Sequence, residues 1–172
     1  MAGQMRPASF IMTRRNQAVH VYVSLAMPNG SKWIALCCLA VLVALYVVGA
    51  VSHGVLRHVV QTLPLWFSIL FGFRRSELAK WSALPCLIFW FGIMALIWLF
   101  LMGQSHIASG HYSPVEIAMT LVIGAACLSG AGVALRWRTT VRPLPAAAIV
   151  VLFSVLQLLV FRISLLPSIA HR

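Results

Sequence analysis

Residues 33–52 read WIALCCLAVLVALYVVGAVS, twenty consecutive positions without a charge. At about 1.5 Å per residue, a helix of that length matches the ~30 Å hydrocarbon thickness of a bilayer. The run exceeds the roughly 7–15 apolar residues of a signal peptide, so it is expected to stay as a helix, although VGA, ending at Ala50, has the small residues of a cleavage site. Runs of the same kind occupy 82–102, 115–135 and 145–165, the last with Arg162 close enough to its end to reach the interface. With 62% hydrophobic and 9% charged residues over 172 positions, the chain lies far from the ~25% charge of a soluble domain. The expected fold is all-α, an integral membrane helix bundle forming one domain.

Whether residues 55–73, VLRHVVQTLPLWFSILFGF, also cross decides the topology. Lys and Arg in short loops stay cytoplasmic. If this segment spans, Arg6, Arg14, Arg15, Lys32, Arg74, Arg75, Lys80, Arg136, Arg138 and Arg142 all fall inside, which makes ten, and only Arg57, Arg162 and Arg172 fall outside. If it does not, and the loop holding Arg74, Arg75 and Lys80 stays inside, the division becomes seven to six. The first division selects five spans, four plain and one polar-striped, at about 33–52, 55–73, 82–102, 115–135 and 145–165. The N-terminus is then inside, with 1–30 a cytoplasmic tail, 31–166 the transmembrane domain and 167–172 a short outer tail. Indoles stand beside cations at three inner boundaries, Lys32-Trp33, Lys80-Trp81 and Arg136-Trp137-Arg138, as in an aromatic belt. Residues 103–114 carry no Lys or Arg, as suits an outer loop. The acid-free tail resembles an organellar transit peptide, and Met27 is an alternative start. The membrane expected is therefore the bacterial plasma (inner) membrane, with the mitochondrial inner membrane as the alternative.

His53, Arg57, Gln61, Pro64 and Ser68 are spaced by four, four, three and four, which puts them on one face of the second span, led by a tight outer turn at 52–54. An ionisable residue inside a span is a functional candidate. The plainer expectation is that Arg57 reaches to the headgroups while the stripe packs on a neighbouring helix. The same threading carries His53, His58, His106 and His111 to the outer side, where neutral imidazoles can ligate haem iron, copper or zinc. Both local patterns are H-x4-H, which splits a pair across helix faces, and no metal or cofactor is expected. Cys37, Cys38, Cys86 and Cys127 lie in apolar runs without a CxxC pair and read as small packing residues.

Glu77 and Glu116 are the only acids. Ser113-Pro114-Val115-Glu116 is a capping box that starts a helix. Glu77, behind Ser76 and three residues before Lys80, reads as a cap and surface pair. Without further acids the chain lacks the parts for carboxylate-dyad hydrolysis, Mg2+-assisted phosphoryl transfer or an acid-ligated metal, and no G-x-S-x-G is present, so it is not expected to be an enzyme. The basic residues mark the ends of apolar runs, so the bilayer and not nucleic acid is their partner. Gly124, Ala125, Ser129, Gly130 and Gly132 form a small-residue face that admits a close helix, from this chain, a membrane-protein partner or a second copy. These features point to an accessory, assembly or interaction subunit of a membrane complex. One alternative is a small transporter or channel component using His53, Arg57, Gln61 and Ser68; another is a haem- or metal-binding electron-transfer protein using the outer histidines.

Overall fold

A computed structural model describes residues 30–104 and 112–166. Among these the chain is all-helical: α1 Gly30–Val51, α2 Val55–Gln61, α3 Leu63–Phe73, α4 Leu78–Leu101, α5 Pro114–Arg136 and α6 Pro143–Ser164. Helices α1, α4, α5 and α6 are each long and apolar enough to cross a membrane, and the α2–α3 pair, bent by 53°, makes a fifth span when taken as one. The helix-bundle expectation holds, with the second span broken rather than continuous.

Apolar residues recur around α1 with little polar interruption, and it is the central helix: half of its span is buried, against 22–28% in α4, α5 and α6. Ile34, Cys38, Val41 and Leu45 climb it in steps of three and four and sit in the core. Helices α3 and α5 contact α1, α4 packs on both, and α6 closes over α4 and the bent pair. All four cysteines are buried. The perimeter is apolar, with Ile88, Leu121, Leu128, Leu135, Leu144 and Leu152 each more than half exposed. So large an uncovered apolar surface suits acyl chains and not water.

The bent pair travels the length of α1. Near one end the His58 ring lies against Gly49, where an added Cβ would meet it at 3.0 Å. Trp66 Nε1 then donates to Tyr46 Oη at 3.3 Å. At the other end Gly72 lies so close that a Cβ would stand 2.6 Å from Ala35 Cβ and 2.8 Å from the Ser31 carbonyl oxygen. Gly49 and Ser31 are eighteen residues apart, about 27 Å along a helix. A segment that runs beside α1 over that distance is long enough to make a fifth, broken span.

Gly130 of the small-residue face is buried between α1 and α4, where a Cβ would meet Leu87 Cδ1 at 2.9 Å and Cys37 Cβ at 3.0 Å. Gly124 and Gly132 have open space beside them. Ala125 and Ser129 are exposed, and Ser129 Oγ accepts a hydrogen bond from Trp33 Nε1 at 3.2 Å. The face is thus split between internal packing and the perimeter.

At the basic end the expected Glu77–Lys80 surface pair gives way to longer-range ties. Glu77 Oε2 accepts from the Thr140 backbone N–H (2.8 Å) and hydroxyl (2.9 Å), while Lys80 Nζ donates to the Trp137 carbonyl (2.6 Å). Both side chains fasten the start of α4 to the α5–α6 loop, satisfying loop backbone groups that a pair between themselves would leave unpaired. Ser76 Oγ accepts from the Leu78 N–H as a local cap.

Gly72→Ala and Gly130→Ala should each lower stability by roughly 1–3 kcal/mol through overpacking, whereas Gly132→Ala should change it little. Thermal unfolding in detergent, followed by loss of the monodisperse peak, measures the difference.

Candidate functional site

Proline at position 64 cannot donate to the Val60 carbonyl, and its ring crowds that group, so the second span breaks just before it. In lipid each carbonyl released by the break needs another donor. Thr62, fully buried, supplies part of the repair. Its backbone N–H bonds to His58 and Val60 carbonyls, and its hydroxyl lies 3.0 Å from the His58 and 3.1 Å from the Val59 carbonyl oxygen. The Gln61 carbonyl is met from α6 by Gln157 Nε2 at 3.2 Å. Gln61 Nε2 in turn donates to Ser164 Oγ at 2.8 Å, and that hydroxyl donates to the Phe161 carbonyl. Tyr46 Oη stands 3.2 Å from the Thr62 hydroxyl and ties the repair to α1.

Beside this knot lies a cavity of about 420 Å³. Arg57, His58 and Gln61 of α2 form one wall, Trp90, Ile93, Met94, Leu96 and Ile97 of α4 another, and Tyr112, Glu116, Thr120 and Ile123 a third, with Leu45, Val48, Ser52 and Phe161 completing it. These residues share the end of the bundle that the charge distribution assigns to the outside.

The cavity holds one cation and one carboxylate, unequally compensated. Glu116 closes the expected capping box: its Oε2 accepts from the Ser113 N–H at 2.7 Å, and the Ser113 hydroxyl accepts from the Glu116 N–H. A carboxylate there is also stabilised by the helix N-terminus. Arg57 Nε is buried with no partner among the described residues, and so is Trp90 Nε1. The chain's other acid, Glu77, is engaged at the opposite end. His58 Nδ1 donates to the Gly54 carbonyl at 2.9 Å.

The bend regroups the face read from spacing. Arg57 and Gln61 reach the cavity; Ser68, on α3, is fully buried but turns its hydroxyl to the Pro64 carbonyl and is absent from the cavity wall. His53 belongs to the turn before α2, with φ 55°, and is exposed beside Val55 and Val59. Even helical spacing holds only along an unbroken helix, so the 53° break and the turn remove these two. Of the four outer histidines, His106 and His111 lie outside the described residues, and among the described ones no three His, Cys, Asp or Glu side chains gather as a metal site. Sequence reasoning missed Thr62, Gln157 and Ser164, and with them Trp90, Tyr112 and Thr120. Gln157 carried a signal: an amide in the middle of an apolar run demands a partner.

Ser164→Ala strips the Gln61 amide of its acceptor and should destabilise by about 1–2 kcal/mol, with Ser164→Thr, which keeps the hydroxyl, destabilising less. Denaturant titration of the three proteins in mixed micelles checks the ranking.

Comparison with known proteins adds no relative from which a role can be carried over: no family model matches the chain, and no curated protein or solved structure shows significant similarity to it.

Proposed function

We propose that this chain is a non-catalytic, multi-pass inner-membrane protein that admits a small molecule from the outer side into the cavity around Arg57, as a transporter or channel component does. The observation that carries this reading is the position of Arg57: on the wall of a cavity of about 420 Å³, with its Nε buried and unpartnered. An Arg that served only as an anchor would extend to the headgroups, where solvent and phosphate satisfy it. The volume falls within the ~300–1,000 Å³ of small-molecule sites.

The reading as an accessory or interaction subunit has less to stand on. It relied on packing through the polar stripe and the small-residue face, yet Gln61 bonds to Ser164 and Gly130 receives Cys37 and Leu87 of the same chain, which leaves only the part of the face around Gly124 and Gly132 open to a partner. The cavity's inventory supports the non-catalytic part of this reading. Its carboxylate is tied into a cap, its histidine to a backbone carbonyl, and no wall hydroxyl has a base and orienter in sequence with it. The ten-to-three distribution of Lys and Arg favours a bacterial inner membrane, N-terminus inside.

Thr120, on the cavity wall, offers a direct test. A Thr120→Cys protein should react with a membrane-impermeant maleimide added to intact cells, while the protein with its four buried native cysteines alone stays unlabelled. Failure to label from either side would make the cavity a sealed void and end the proposal. Arg57→Ala should leave the amount of protein in the membrane unchanged; a fall equal to that of Gly72→Ala would instead make Arg57 structural.

A further inference from the structure

We propose that the cavity reads an oxyanion carried on an apolar chain, a single-chain amphiphile whose carboxylate or phosphate head is held by Arg57. The inference rests on the cavity being an open site, as argued above, and adds the chemistry of its occupant.

Committed groups on the wall are mostly acceptors and short donors. Glu116 Oε2 is taken by the Ser113 N–H, the Thr120 hydroxyl donates to the Ile117 carbonyl, His58 Nδ1 is bound to Gly54, and the Gln61 amide N–H to Ser164. Among the described residues, the buried polar atoms of the wall that have no partner are both donors: Arg57 Nε and the Trp90 indole N–H, the latter on a side chain only 3% exposed. A donor buried without an acceptor carries a penalty of about 1–3 kcal/mol, and a native structure that keeps two around one cavity points to an acceptor that arrives from elsewhere. The guanidinium fork matches carboxylate and phosphate in geometry as well as charge. Because the cavity's carboxylate is already compensated by its cap and helix N-terminus, the net field at Arg57 favours an anion. Much of the remaining wall, Leu45, Val48, Ile93, Met94, Ile97 and Phe161, offers an apolar bed, and among the described residues Arg57 is its one Lys or Arg. An inorganic anion would leave that bed empty, whereas an acyl chain fills it.

The test uses the full chain in nanodiscs of uncharged phosphatidylcholine, with brominated stearic acid and brominated stearyl alcohol as probes, since bromine quenches indole fluorescence on contact. The acid should bind at least about tenfold more tightly than the alcohol, as one charge-assisted contact implies. Arg57→Gln should erase that preference, Arg57→Lys should keep part of it, and Trp90→Phe should remove the saturable component of quenching. Equal binding of acid and alcohol by the unaltered protein, or a preference that survives Arg57→Gln, overturns the inference. Displacement of the acid by inorganic phosphate at equal concentration would assign the oxyanion to solution and overturn the apolar-chain half; resistance to it supports a lipid source. If Thr120→Cys labels but acid and alcohol bind alike, only this inference fails. If Thr120→Cys stays unlabelled and neither probe quenches saturably, the open-site reading beneath it fails as well.

Discussion

A proline in the middle of a membrane helix frees a carbonyl where no water can reach it, and everything distinctive in this bundle follows from how that debt is met. The break at Thr62 and Pro64 could be repaired locally only in part, through the Thr62 hydroxyl and N–H. The Gln61 carbonyl is met by the Gln157 amide of α6, 96 residues away in the chain, while Ser164 of the same helix accepts from the Gln61 side chain. Tertiary packing and backbone satisfaction are therefore one requirement here: α6 is held against the bent pair because the bent pair needs its amide.

The bend also sets where the polar side chains can be. A straight second helix would aim Arg57, Gln61 and Ser68 along one line into the same neighbour. Bent by 53°, the span keeps Ser68 in the dry contact beyond the break and swings Arg57, His58 and Gln61 around a cavity closed by α4 and α5. On the far side the packing is tight enough to exclude a methyl group, as at Gly72 against α1 and Gly130 against α1 and α4. Close helix contacts at Gly72 and Gly130 and a cavity towards the opposite end leave room for a guest on the Arg57 side of the bundle.

Much of this was legible in the sequence, for reasons that differ by element. Apolar run length showed the spans because bilayer thickness acts on every helix alike, and the capping box at Ser113–Glu116 was readable because its two bonds are local. Charge asymmetry favoured counting 55–73 as a crossing, and the bent α2–α3 pair makes a fifth span when taken as one. What spacing could not show was anything joined across the chain. The partner of Glu77 is Thr140 rather than Lys80, and the partners of Gln61 lie on α6. His53 and Ser68 were grouped with Arg57 by a helical period that the proline interrupts, whereas His58, one residue off that period, lines the site.

The central claim is that α2 and α3 form one broken crossing, and labelling of two single positions tests it most directly. Ser52→Cys lies in the turn before α2 and Arg74→Cys just after α3, both exposed. With an impermeant maleimide, the account predicts that Ser52→Cys labels in intact cells and Arg74→Cys only after the membrane is opened. Labelling of both from the same side would make the pair a re-entrant loop and remove the outer cavity with it.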